Sequence, residues 1–208
     1  MFSIQRLMGE DGKFFALLEA STEQACDSVR CLKEFLSAPR ERSLNGFIAT
    51  RRKEKAISQE ISTSLCRSFV TPIEPEDIET ISYALYRIPK TIEKFGERLM
   101  ASGQTIAPSE FAEQLDLLEQ ATTTVQEMVK SLGDKPKLKQ IKEKQERLAS
   151  LEGAADKLMT EVLREFYGAT TNLLSAMAVR DLHELIEKAI DRCRDVGNAI
   201  FRVVLKCS

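Results

Sequence analysis

Glu152 and Asp156 are four residues apart, and so are Asp191 and Asp195, with Glu187 one turn before Asp191. Residues four apart share one face of a helix, so each pair offers two carboxylates to the same neighbour. Such a quartet suits a hard cation or iron better than a structural zinc, because no Cys or His stands at ligand spacing around it. The plain alternative is a solvated acidic face, since like charges at this spacing cost a helix only about 0.2–0.5 kcal/mol. Position favours the first reading. Glu152 and Asp156 flank the apolar stripe of Leu151, Ala155 and Leu158, and Asp191 and Asp195 sit beside Ile190, Val196 and Ala199. Carboxylates near a core need a partner or a cation.

Little else in the chain suggests chemistry. His183 is the single histidine and is expected to be exposed or to cap the start of the last helix. Cys193 reads as a small packing residue. There is no Ser/His/Asp spacing, no Gly-rich phosphate loop and no zinc signature. Five cysteines without a CxxC pair argue against a disulfide framework and for a reducing compartment. The charge of −2 gives no general attraction to nucleic acid. The first fifteen residues carry four charges before a signal-peptide core could form, and the longest uncharged stretch, between Glu165 and Arg180, is too short to span a bilayer. A cytoplasmic location is expected.

The elements that must hold these residues are helices. The 208 residues are 43% apolar and 30% charged, rich in helix formers and nearly free of strand signals. Ile57, Ile61, Leu65 and Phe69 recur every fourth position, and Leu148, Leu151, Ala155, Leu158 and Val162 return to the same helical face in steps of three and four. The pattern predicts six helices near 12–37, 41–69, 75–101, 108–132, 137–173 and 179–206. Pro75, Glu76 and Asp77 mark the start of the third, and Pro89 predicts a bend near Leu85. Lysines at 135, 137, 139, 142 and 144 read as a solvated helix face. Arg51, Arg52, Lys53 and Lys55 could meet phosphate or a lipid head group, although a solvated helix start explains them as well.

Sliding the sequence by 98 lays Glu54, Ala56, Ile61 and Leu65 over Glu152, Ala154, Met159 and Leu163, and Phe69 over Tyr167. Beyond the next turn the offset grows to 104 or 105, placing Asp77 over Asp181 and Leu85 over Ile190, as if the second half had a longer connection. A period near 100 is too long for a solenoid and suits two copies of a three-helix unit. The expected fold is all-α: two antiparallel three-helix bundles in one domain over 1–208, with repeat halves about 12–101 and 108–206.

The string FVTPIEPEDIETI, the segment SLEGAADKL and the closing DLHELIEKAIDRCRDVGNAIFRVVLK resemble, in order and over nearly the whole chain, the PhoU-like family of the Pit accessory type. The resemblance implies paired helices whose E(D)xxxD motifs hold iron or zinc, and a regulatory rather than enzymatic role beside low-affinity phosphate transporters. Glu152 and Asp156 match one motif and Asp191 and Asp195 the other. In the first half only Glu54 matches; Ser58, Tyr86 and Lys90 stand where the other carboxylates would be. Lys90 could then pair with Glu54, leaving the fold as a scaffold. The expected function is a cytoplasmic accessory protein of phosphate transport or signalling, with a Pit-type transporter or signalling protein as partner and peripheral membrane contact through it. The alternatives are a carboxylate-bundle metal protein or enzyme unrelated to phosphate, and a purely structural helical module open to self-association.

Overall fold

A computed structural model describes residues 4–103, 106–134, 136–168 and 173–207. Six long helices carry the chain: α1 (Ile4–Ser37), α2 (Asn45–Arg67), α3 (Pro75–Ser102), α4 (Ala112–Gly133), α5 (Leu138–Gly168) and α6 (Leu173–Lys206), with a 3₁₀ turn at Pro108–Phe111 before α4. The described residues include no strand. Helices α1, α2 and α3 touch one another pairwise, as do α4, α5 and α6, and the two groups join through α1 against α4 and α3 against α6. One continuous apolar core runs through both groups, from Phe14 and Leu32 to Ile190 and Val204.

Local sequence explains the best-defined ends. Pro75 occupies the first turn of α3 with Glu76 and Asp77 beside it, where a missing N–H costs nothing and negative charge meets the positive end of the dipole. Gly103 closes the same helix at φ 62°, a left-handed conformation that glycine adopts freely. Pro89 does not end α3, which continues as one helix to Ser102. Its missing N–H leaves the Leu85 carbonyl without the usual helical donor. The next carbonyl, that of Tyr86, accepts from Arg51 Nη1 at 3.4 Å.

Several expected boundaries move: α1 begins at Ile4 rather than near 12, α2 begins at Asn45 rather than at 41, and Pro108–Phe111 form the 3₁₀ turn rather than the start of α4. The stripe through Ile57 and Ile61 stops short of Phe69, because α2 ends at Arg67, Ser68 turns to extended backbone, and Phe69 is 99% exposed. The extra residues of the second half do not lengthen a connection. They wind onto α6, which begins at Leu173 rather than at 179, while α5 ends at Gly168 rather than at 173. The Tyr167 side chain and Lys135 lie outside the described residues. Lys137, Lys139 and Lys142 are exposed, and the last two lie 4.0 and 3.7 Å from Glu143 and Glu146 one turn on, in keeping with a solvated face.

Close approach of helices depends on glycine at two points. A Cβ on Gly96 of α3 would fall 2.8 Å from Phe47 Cε2, and one on Gly197 of α6 would fall 2.4 Å from Leu148 Cδ1. Most buried hydroxyls are satisfied within their own helix. Ser28, Thr50, Thr91 and Thr124 each donate to a carbonyl three or four residues back.

Helices α3 and α6 also carry an ionic seam. Lys206 reaches Glu74 at 2.7 Å and Asp77 at 3.0 Å, Arg87 reaches Asp195 at 3.2 Å, and Arg98 reaches Asp181 at 2.9 Å. Partner numbers fall on α6 as they rise on α3, so the two helices run antiparallel.

Candidate functional site

Helices α5 and α6 bring most of the second-half acids together. Glu187 is pushed above the usual carboxylate range, first by burial and then by the charges of Asp156, Asp191 and Glu152. Four acids from two helices are therefore close enough to repel. Asp195 turns elsewhere, toward α3, where it accepts from Arg87 Nη1 at 3.2 Å and from Arg192 Nη1 at 2.8 Å.

Arginines balance this cluster. Arg194 Nη1 donates to Glu152 Oε1, and Arg192 Nη1 lies 3.3 Å from Asp191 Oδ2. Among the described residues, no three Asp, Glu, His or Cys side chains converge as a metal's ligands would. As placed, these acids supply charge without a ready coordination shell, so they do not fit an iron or zinc centre without rearrangement. The missed residues are the arginines. The alternation Asp191-Arg192-Cys193-Arg194-Asp195 was the available signal, because it places a cation within one turn of each aspartate. Cys193 is fully buried, and burial lifts its thiol well above the ordinary range, which suits the packing role expected of it.

In the first half the corresponding place keeps one acid, Glu54, and loses the others to Ser58, Tyr86 and Lys90. Glu54 is wholly buried against α1, where its Oε1 accepts from Ser21 Oγ at 2.7 Å. Its Oε2 has no hydrogen-bond partner among the described residues. Burial raises its carboxyl to about 7, although the Ser21 hydrogen bond and the Arg51 charge pull the other way. Lys90 does not pair with Glu54. Glu54 points inward and Lys90 is exposed on α3, its Nζ 5.8 Å from the centre of the Tyr86 ring. Arg51 Nη2 donates to the Tyr86 hydroxyl at 2.9 Å, and its Nε donates to Glu93 at 3.1 Å.

His183 is neither exposed nor a cap. With α6 beginning at Leu173, His183 falls within the helix and is 3% exposed. Its Nδ1 is 2.7 Å from Gln114 Oε1, and Gln114 Nε2 donates to the His183 carbonyl at 3.5 Å. That clamp assigns the ring proton to Nδ1. The ring packs on Phe111 with centroids 4.7 Å apart, and Nε2 lies 3.6 Å from Glu110 Oε1, at a cleft of about 230 Å³ lined also by Glu113 and Glu161.

No helix among the described residues is long and apolar enough to cross a membrane. No protein-family model matches the chain. It is 22% identical over 142 residues to the UPF0111 protein YkaA of Bacillus subtilis (strain 168), an alignment covering 68% of this chain and 69% of that protein. Two crystal structures from Shewanella oneidensis MR-1 are similar over 93% of this chain and 99% of theirs. One, of a PhoU-like protein, superposes with TM-score 0.76 at 15% identity. The other, described as a PhoU-like phosphate regulatory protein, superposes with TM-score 0.75 at 16% identity. The all-α fold of this chain is that of the PhoU-like proteins.

Proposed function

We propose that this chain is a cytoplasmic accessory or regulatory protein of inorganic phosphate transport or signalling, acting by docking helix ends and faces on a partner rather than by catalysis. The observation that carries the reading is the likeness over 93% of the chain to a protein described as a phosphate regulator. A Pit-type transporter is the partner we favour. The exposed apolar residues Phe69 and Val70 follow α2, and Leu205 lies in the last turn of α6. The Lys206 contacts to Glu74 and Asp77 bring these two segments to one end of the molecule. Exposed aromatic and aliphatic side chains gathered in this way suit a protein contact. The test is cofractionation of the full chain with membranes that contain or lack a Pit-type phosphate transporter. Transporter-dependent recruitment, reduced in Phe69→Asp with the fold intact, is the expected result. Equal distribution with and without the transporter would overturn the reading.

A second reading is cation binding at Glu152, Asp156, Glu187 and Asp191, with Asp195 joining only if it leaves Arg87 and Arg192. The raised Glu187 carboxyl favours it, since positive charge there would relieve the mutual repulsion of the acids. Arg194 would have to release Glu152. Purified protein incubated with iron(II) or zinc(II) and then desalted should retain metal, and Asp191→Asn should retain less. Equal, near-zero metal in both proteins would sink this reading.

A further inference from the structure

The exposed face of α2 and α3 gathers cations around one phenol. Arg51 is fixed by three acceptors: Glu93 Oε2 at 3.1 Å, the Tyr86 carbonyl at 3.4 Å and the Tyr86 hydroxyl at 2.9 Å. Its guanidinium lies 4.3 Å from the Tyr86 ring centre, and Lys90 Nζ lies 5.8 Å from the same point. Lys55, one turn after Arg51 on α2, lies on the same helix face and is exposed. The Tyr86 hydroxyl is held below the usual tyrosine range, first by the Arg51 hydrogen bond and then by the charges of Arg51, Lys90 and Lys55.

We propose that Arg51, Lys55, Lys90 and the Tyr86 hydroxyl form a binding site for a phosphoryl oxyanion. Three cations stand against Glu93, the carboxylate paired with Arg51, and against the buried Glu54, which the Arg51 charge also reaches and which is only partly ionised near neutrality, so positive charge remains in excess. Lys55 and Lys90 are exposed, and neither has a carboxylate within ion-pair distance among the described residues. The Tyr86 oxygen accepts from Arg51 and keeps its own proton to donate. A phosphate group carries about −1.5 to −2 charges near neutrality and several strong acceptor oxygens, so it can match two ammonium groups and a phenol donor together. A lone carboxylate would use half of that charge. Arg51, pinned by Glu93 and stacked on the ring, loses little freedom on binding, and the two flexible lysines can close over the ligand.

The internal repeat points the same way. Tyr86 and Lys90 occupy the positions that Asp191 and Asp195 hold in the second half, so one acid is replaced by a neutral phenol and the other by a cation. The site stands apart from the docking end, and its failure would leave the docking reading untouched.

The test titrates the full chain with inorganic phosphate at constant ionic strength, following the NMR signals of the Arg51 side chain and the Tyr86 ring. A parallel arm measures flotation with phosphatidylglycerol vesicles. Saturable binding is expected, weakened about tenfold or more by Lys55→Glu and by Lys90→Glu, and unchanged by Lys139→Glu on α5. Tyr86→Phe should weaken binding less, since it keeps the ring and loses one donor. Binding of free phosphate identifies a soluble ligand. Binding of vesicles alone, released by the same lysine variants, identifies a lipid head group, and either result supports the site. Binding of neither probe, or binding that survives both charge reversals, overturns it. Both lysines are exposed, so an unchanged circular dichroism spectrum and melting temperature should accompany the loss.

Discussion

Glu54→Gln is expected to stabilise the protein at pH 8 by up to about 3 kcal/mol, and to do almost nothing at pH 4. Folding raises the Glu54 carboxyl from 4.5 to about 7, and a tenfold change in proton affinity between the two states is worth about 1.4 kcal/mol. Below pH 4.5 the group is protonated in both states and costs nothing. Between about 4.5 and about 7 the unfolded chain releases the proton while the folded chain keeps it, so stability falls as pH rises. Above about 7 the folded protein holds a buried carboxylate whose only hydrogen bond among the described residues is from Ser21, and the penalty stays constant. Glutamine keeps the acceptor for Ser21 and removes the charge. Urea unfolding at pH 4 and pH 8 checks this: the difference between wild type and variant should open with pH. Parallel profiles would show that Glu54 is not the buried acid described.

Phe111→Ala should cost about 3–5 kcal/mol, the range for removing a large buried aromatic side chain. For a protein of this size that lowers the melting temperature by roughly 6–20 °C. Phe111 has no exposed surface and ends the 3₁₀ turn that leads into α4. It meets Phe95 of α3 edge-on at 5.1 Å and the His183 ring of α6 at 4.7 Å. Its loss would therefore open a cavity between two helices from different halves and loosen the stacked imidazole together with the core. Thermal melts of Phe111→Ala and Phe111→Leu would separate cavity from ring. The leucine variant should recover most of the loss in stability, and an alanine variant melting within a few degrees of wild type would remove Phe111 from this role.

Helix identity was readable wherever the signal was local. Ile57, Ile61 and Leu65 mark α2 by their spacing, and Pro75 with two acids marks the start of α3. Where the deciding partner is remote, the pattern misled. Phe69 continues the stripe in register, yet Ser68 leaves the helix before it. The start of α6 carries no proline or cap at 179, so nothing local stops the helix from extending back to Leu173. His183 was misplaced for the same reason: its burial depends on Phe111 and Gln114, about 70 residues earlier in the chain. The acidic quartet was legible as spacing and partly as proximity. Its neutralisation by Arg194, which reaches from α6 to Glu152 on α5, and by Arg87, which reaches from α3 to Asp195, depends on helix packing that spacing does not encode. The loss of the matching first-half carboxylates was plain from Ser58, Tyr86 and Lys90, whereas the inward turn of Glu54 toward Ser21 was not.

The charged rungs along α3 and α6 limit where this chain can change length. One residue inserted between Asp77 and Arg98 would rotate all that follows by about 100°, carrying Arg87 or Arg98 away from its mate and the adjoining apolar stripe out of the interior. A residue added beyond the outermost rungs would do neither. The additional turn and a half at the beginning of α6 lies there, ahead of Asp181, where growth leaves the register of both helices intact.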